Sequence, residues 1–351
     1  MSATKVMMLL CAALAVSAPM SPSQLYTVAP QSYSDWPAKS DDLSVLTYNV
    51  KGLPWPAAFG RDDALDAIGK RLSLMRRRGV QPQIVLLQEA FTVDAEAIGR
   101  TAGYRYWVRG PSSRERLRSA PLGENFSEEA QWSKGEASDP VVNSGLVILS
   151  DFPIERVKTL AFPDGACAGF DCLATKGMVI AWVKVPGLDA PLAIANTHLN
   201  SRRSTHVSRL RADEAFAWQS AAIRDFVESE VEPDAPIIFG GDFNAGSAAP
   251  RRAAFEANLP LGPRQEDALA MALANKSILS SSQTAAFDTV KRNRDKILCR
   301  SGSGTKVTPQ LGWVPFGEER SSSPLSDHTG FVVSFTLTRN TQGNFQSLPQ
   351  K

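Results

Sequence analysis

Short branched-apolar runs recur along the chain, each closed by polar residues or by Gly/Pro punctuation. Leu43 to Val50 is strand-like and runs into Gly52-Leu53-Pro54-Trp55-Pro56, after which Arg61 to Arg78 carries Leu65, Ile68, Leu72 and Met75 at helical spacing. Ile84 to Leu87 reads as a second buried strand, closed by Gln88 and Glu89, and Val93 to Gly99 begins a short helix. From Ser112 to Asp139 the composition turns polar, which predicts a long surface insertion. Further strands are predicted over Gly145 to Leu149, Ile154 to Leu160, Met178 to Val185, Leu192 to Asn196, Pro236 to Phe239, Asp295 to Cys299 and Gly330 to Leu337. A long helix is predicted over Val207 to Val231. Strands joined directly, interspersed with strand-helix units, predict mixed sheets with helices outside.

The first residues depart from this pattern. Lys5, an apolar run from Val6 to Val16 and small residues at Ser17 and Ala18 form a signal-peptide pattern over 1–18. That run is too short to span a bilayer, and bulky Leu10 before Cys11 argues against lipid attachment there. A Ser/Pro/Ala-rich stretch over 19–41 reads as a flexible tether, 42–338 as a single domain and 339–351 as a polar tail. The expected destination is secreted or periplasmic. Of the cysteines left after cleavage, Cys167 and Cys172 lie close together, and an oxidising compartment favours a bridge between them. The alternative is that these two and Cys299 are free and partly buried.

Hydrophobic residues at 43% and charged residues at 21% fit a globular chain with a substantial core. A formal net charge of +2 creates no general field of the kind that marks a nucleic-acid binder, so any basic site must be local.

The candidate chemistry gathers where expected strands end. Asn49, Glu89, His198, Asp242 with Asn244, and Asp327 with His328 are residue types that bind hard metals or phosphate. Singly, each is more often a solvated turn residue. In order along the chain they stand in Thr-Tyr-Asn-Val (47–50), Leu-Gln-Glu-Ala (87–90), Asn-Ser-Gly-Leu (143–146), Asn-Thr-His-Leu (196–199), Gly-Gly-Asp-Phe-Asn (240–244) and Ser326-Asp327-His328. This ordered series resembles the endonuclease/exonuclease/phosphatase family over about residues 42 to 338. The resemblance implies an α/β four-layer sandwich of two mixed β-sheets flanked by helices, and hydrolysis of phosphate esters with Mg²⁺ or another divalent cation such as Mn²⁺.

Phosphodiester hydrolysis requires an activated water, neutralised phosphate charge and a supported leaving group. His328 is the expected general base. Asp295 aligns with the family carboxylate that orients such an imidazole, although Lys296 follows it where family members often show an aromatic residue. Glu89, with Asn49 beside it, is the expected metal ligand. Asp242 and Asn244 are expected to orient water or the leaving group, His198 to donate to the charged phosphorane, and Asp327 to support the cluster. His206 sits in a polar stretch and reads as a solvated histidine.

Within the family, Asn49 to Trp55, the Cys167–Gly177 loop and Asn196 to Ser201 are similar to secreted bacterial sphingomyelinases and related phospholipases C. That likeness implies a phospholipid or sphingolipid head group as partner, with a membrane surface nearby, and it gives no indication of a protein partner. Lys176 is then a candidate phosphate contact, its alternative being a surface lysine at a strand start. Trp313 and Phe316 are candidates for an exposed aromatic hairpin entering the bilayer interface, helped by Trp55 and Phe59; the alternative for each is core filling. A competing reading is a secreted DNase-like endonuclease that contacts phosphate through Arg76-Arg77-Arg78, Arg202-Arg203, Arg251-Arg252 and Lys291-Arg292-Asn293-Arg294. A non-catalytic binding scaffold is a further alternative, opposed by the retention of every core motif residue.

Overall fold

The structure, a computed structural model, describes residues 37, 42–54, 57–115, 126, 128–317 and 324–339. The signal segment, the tether apart from Pro37, Trp55 and the tail beyond Arg339 lie outside these residues.

In chain order the strands are β1 (Leu43–Gly52), β2 (Ile84–Ala90), β3 (Tyr106–Arg109), β4 (Val147–Ser150), β5 (Ile154–Ala161) and β6 (Gly177–Val183). They continue with β7 (Leu192–His198), β8 (Ile237–Asp242), β9 (Glu266–Asp267), β10 (Asp295–Arg300), β11 (Thr305–Phe316) and β12 (Gly330–Arg339). The helices are α1 (Asp62–Arg77), α2 (Val93–Ala102), α3 (Arg209–Glu230), α4 (Ala249–Ala257), α5 (Ala268–Ala274) and α6 (Gln283–Arg292). Two six-stranded sheets result, in the orders β11-β12-β1-β2-β4-β3 and β5-β6-β7-β8-β10-β9. Each has one parallel pair at its centre, β1 with β2 and β7 with β8, while its other pairings are antiparallel. A long helix links each central pair, α1 in the first sheet and α3 in the second, as a parallel connection requires.

Alternation of side chains along these strands makes the layers. Val45, Ile84 and Leu86 turn inward to meet Val179, Ile194, Ile238 and Ile297 of the other sheet. Their neighbours Leu46, Val85 and Leu87 face outward beneath Leu65, Ile68, Leu72 and Met75 of α1. On the far side Ile180, Ala195 and Phe239 lie under Phe216, Ile223 and Val227 of α3. Burial on both faces is why these strands read as continuous apolar runs. One polar link crosses the inter-sheet core: buried Asn196 donates to the carbonyls of Leu87 at 2.8 Å and Val147 at 3.0 Å, and accepts from Gln88 Nε2 at 2.8 Å. The expected sandwich of two mixed sheets with outer helices is thus the observed fold.

One expectation is corrected. Trp313 and Phe316 do not form an exposed hairpin: they lie on β11 with 4% and 1% of their surface exposed, packed in the outer core with α1. Phe316 stacks on Tyr48 at 4.8 Å, and the Arg71 guanidinium lies over the Phe316 ring, 5.3 Å from its centroid. Bulges between Pro309 and Gly312 and between Trp313 and Phe316 shift the register and bring both rings inward. Phe59 is exposed. No helix among the described residues is long and apolar enough to cross a membrane.

Candidate active site

The two central parallel pairs end at one place, and hydrogen bonds join them there. Asn49 is buried toward the end of β1 and its Nδ2 donates both to Glu89 Oε1 of β2, at 2.9 Å, and to Asp242 Oδ2 of β8, at 3.2 Å. Asp242 is the last residue of β8, paired in register with His198 on one side and with Asp295 on the other. Three functional side chains therefore stand at one level across β7, β8 and β10. Glu89 (φ 55°) and Asn244 (φ 49°) both turn through left-handed backbone, a strain that clusters at functional sites. Gly241 has φ 150°, and a Cβ there would lie 2.2 Å from the Thr197 carbonyl oxygen, so only glycine lets β8 pass β7 this closely.

His328 arrives from a loop before β12. Ser326 Oγ donates to the Asn49 carbonyl at 2.7 Å and accepts from the His328 amide at 3.2 Å, which fixes the loop against β1. The imidazole Nδ1 faces both Asp295 oxygens, at 3.0 and 2.9 Å, and Nε2 faces Asp242 Oδ2 at 3.7 Å. Burial alone would discourage a charge on His328, but Asp295, then Asp242, outweigh it and lift its pKa to about 10. The histidine is thus an imidazolium at neutral pH in the ligand-free site.

His198 is the opposite case. Burial, then the Lys176 charge, lowers its pKa to about 3, so it is neutral. Its Nε2 lies 3.2 Å from Lys176 Nζ and 3.4 Å from Asp242 Oδ2, while buried Nδ1 has no hydrogen-bond partner. A neutral ring whose Nε2 accepts from Lys176 has no proton there to give to a phosphate. Lys176 itself is buried, and its ammonium also donates to Asp171 Oδ2 at 2.8 Å and to the Leu199 carbonyl at 3.0 Å. It does not reach the cleft as a free phosphate contact; it acts on the site through His198. Asp327 likewise departs from expectation: it turns to the rim and pairs with Lys51 at 3.4 Å, its side chain 60% exposed, instead of supporting the buried cluster.

Asn244 is held by its own turn, its amide donating to Asp242 Oδ1 at 3.0 Å and its Nδ2 to the Leu199 carbonyl at 3.1 Å. Behind it stands Arg251 of α4, 1% exposed, which sequence reading grouped with surface phosphate contacts. It pairs with Asp213 Oδ1 at 2.6 Å and donates to the carbonyls of Asn200, Ser201, Ala212 and Asn244, clamping the loops after β7 and β8 together. Only a buried acid elsewhere in the chain, Asp213, could have revealed this. Cys167 and Cys172 form a disulfide in the loop that holds Asp171, and Cys299 is free and buried.

The donors suit a hard divalent cation. Glu89 and Asp242 each place an oxygen within reach of the one Asn49 nitrogen, and burial, only partly offset by the Asn49 hydrogen bond and the Lys176 and His328 charges, raises the Glu89 pKa, a cost that a cation held there would offset. Asn49 presents its amide nitrogen to these carboxylates and its oxygen to the Lys51 amide at 3.1 Å, so it organises them. Among the described residues, Asp242, Asp295 and His328 also bring ligand atoms within 4.8 Å of one another, but Asp295 and His328 are already paired.

A Mycobacterium bovis protein named sphingomyelinase is 27% identical over 306 residues, which are 84% of this chain and 53% of that protein; the chain spans about half the length of this relative. A Staphylococcus aureus beta toxin mutant with bound magnesium ions aligns at TM-score 0.55 and 19% identity over 84% of this chain and 99% of that one. D. rerio TDP2 complexed with a single-strand DNA product aligns at TM-score 0.56 and 18% identity over 85% and 100%. At these identities the two solved structures speak to fold alone. The family model for endonuclease/exonuclease/phosphatase proteins matches residues 46–328, nearly the whole of the two-sheet sandwich from β1 to the His328 loop, and the chain belongs to that family.

Proposed function

We propose that the chain is a divalent-metal-dependent phosphodiesterase that cleaves a lipid head-group ester, in the manner of a sphingomyelinase or phospholipase C. The observation that carries this reading is the Asp295–His328 pair, its free Nε2 turned toward Asp242 beside the Glu89–Asn49 carboxylate site. The sphingomyelinase name of the mycobacterial relative supports the lipid class, and the magnesium of the beta toxin supports the cation. The signal-like segment 1–18 and the Cys167–Cys172 disulfide support a place outside the cytoplasm.

In the proposed reaction a water oxygen bonds to phosphorus as the ester bond to the lipid oxygen breaks, leaving a phosphorylated head group and a lipid alcohol. His328 Nε2 takes the water proton, and Asp295 holds the resulting imidazolium in orientation. Asp242 and Asn244 orient the water and the leaving oxygen, and the Lys176 ammonium, acting through the neutral His198 ring against it, places positive potential behind the phosphate. A divalent cation held by Glu89, with Asn49 aligning the carboxylates, would neutralise phosphate charge and offset the anionic field that keeps His328 protonated.

The test is hydrolysis by the purified mature protein of sphingomyelin, phosphatidylcholine and plasmid DNA, with Mg²⁺ and with chelator. Phosphocholine release that requires Mg²⁺ is expected; cleavage of DNA alone, or full activity in metal-free buffer, contradicts the proposal. Magnesium binding followed by calorimetry should weaken in Glu89→Gln, and an unchanged isotherm removes Glu89 from the site.

A further inference from the structure

With Trp313 and Phe316 buried, the aromatic surface lies elsewhere. Three segments converge beside the site: the short helical turn Trp132–Lys134 with the chain to Val141, the turn Gly169–Leu173, and the loop 201–207. They are hydrogen-bonded to one another. Val141 N donates to the Leu173 carbonyl at 2.8 Å, Gly169 N to Glu136 Oε1 at 2.8 Å, and Phe170 N to the Thr205 carbonyl at 3.2 Å.

Their outward side chains are apolar. Trp132 is 66% exposed, Val141 70% and Phe170 38%. Phe170 meets the His206 ring edge-on at 5.6 Å, and Lys134 Nζ stands 5.4 Å from its centroid. Exposed apolar groups drawn together by a rigid local frame mark an interaction surface, and Trp with Lys at its border suits the interfacial zone of a bilayer. The frame adjoins the chemistry directly. Asp171, next to Phe170, accepts from Ser201 N at 2.6 Å and from Lys176, whose ammonium faces His198.

Charge selects among occupants. A polyanion requires a track of free cations. Here Arg202 and Arg251 are both taken by Asp213, and Arg211 by Glu136 at 2.7 Å, while the cations Lys134, Arg203 and Arg209 are set against exposed Asp139, Glu128 and Glu129 and form no continuous basic track. A surface of exposed rings and mixed charge of both signs matches a zwitterionic phospholipid surface better than a nucleic acid.

We propose that Trp132, Val141 and Phe170 form the surface by which this protein docks on a zwitterionic phospholipid bilayer, presenting the cleft beside His198 to the membrane. The purpose of this surface rests on the lipid reading of the site, but the docking itself is measurable without turnover.

The experiment is sedimentation of the mature protein with large unilamellar vesicles of phosphatidylcholine and sphingomyelin in chelator. It compares the unaltered protein with Trp132→Ala/Phe170→Ala, with the milder Trp132→Ser and Val141→Ser, and with Trp107→Ala, which removes a half-exposed ring on β3, between Trp132 and Phe170 in exposure. The double variant is expected to lose partitioning about tenfold or more, the single variants less, and Trp107→Ala to match the unaltered protein. Mg²⁺-dependent hydrolysis of a soluble aryl phosphodiester should stay within about twofold in all of them, because none touches the cleft. Unchanged partitioning of the double variant, equal loss in Trp107→Ala, or loss of single-stranded oligonucleotide binding in place of vesicle binding overturns the proposal. If the unaltered protein docks but hydrolyses no phosphodiester, the catalytic reading fails and the docking surface stands.

Discussion

Asp295→Asn isolates what the carboxylate does for His328. The imidazole stands with Nδ1 at 2.9 and 3.0 Å from the Asp295 oxygens, and its pKa is about 10 against an ordinary 6.5. That rise corresponds to ~5 kcal/mol of preference for the imidazolium, at about 1.36 kcal/mol per unit. Asp295 leads the contributions that raise it, ahead of Asp242, so its removal should take back a substantial part of the rise, on the order of 2 kcal/mol. The amide that replaces it can also donate to Nδ1, which moves the ring proton to Nε2 and leaves no lone pair for water. Turnover on a soluble diester should fall about 10²–10⁴-fold with little change in fold. The chain has three histidines, so their ring C–H signals can be followed individually in a proton NMR titration of the metal-free protein, assigned with His198→Gln and His206→Gln. The His328 midpoint should drop by more than one unit in the Asn variant. A midpoint that stays near 10, or turnover within threefold of the unaltered protein, would refute the pairing as the source of catalysis.

Gly241→Ala places a Cβ 2.2 Å from the Thr197 carbonyl oxygen, so a loss of ~2–4 kcal/mol is expected in denaturant unfolding; an unchanged midpoint would show that β7 and β8 can part freely. Arg251→Met strips the buried Asp213 of one partner and each of four carbonyls of one donor, and should cost ~3–5 kcal/mol, whereas a cost below 1 kcal/mol would mean the clamp is idle. Two histidines set opposite limits on metal-free stability. His198, depressed to about 3, takes no proton in the fold where the unfolded chain would, so stability falls as pH drops from 6.5 toward 3. His328, raised to about 10, contributes stability fully below 6.5 that is lost as pH rises toward 10. Urea midpoints from pH 4 to 10 should therefore peak near neutrality, with the acid limb flattened in His198→Gln; an identical acid slope in that variant contradicts a buried neutral His198.

Strands buried on both faces announce themselves, and β1, β2, β7 and β8 were legible as largely apolar runs whose ends carry Asn49, Glu89, His198 and Asp242. The site followed because its residues are those ends. β11 was not legible: Pro309, Gly312 and Pro315 punctuate it, and its bulges decide on which face Trp313 and Phe316 fall. Residue type gives the chemistry of a side chain but not its side. Lys176 and Arg251 looked like surface cations because their partners, Asp171 with His198 and Asp213, meet them only through the tertiary fold. β3, four residues long and mostly exposed, carries no burial pattern to read.

The polar link beneath the site has a consequence for precision. Asn49, Glu89 and His328 ride on one sheet and His198, Asp242, Asn244 and Asp295 on the other, and the apolar layer between them resists separation far more than sliding, because such contacts have no preferred direction. Asn196 does: its bonds to the Leu87 and Val147 carbonyls weaken steeply with small lateral shifts. It works as an alignment pin, two residues before His198 and joined to Gln88, the neighbour of Glu89. Shear tolerance, and not only the identity of the groups in the cleft, is therefore written into this chain, at a position that never touches substrate.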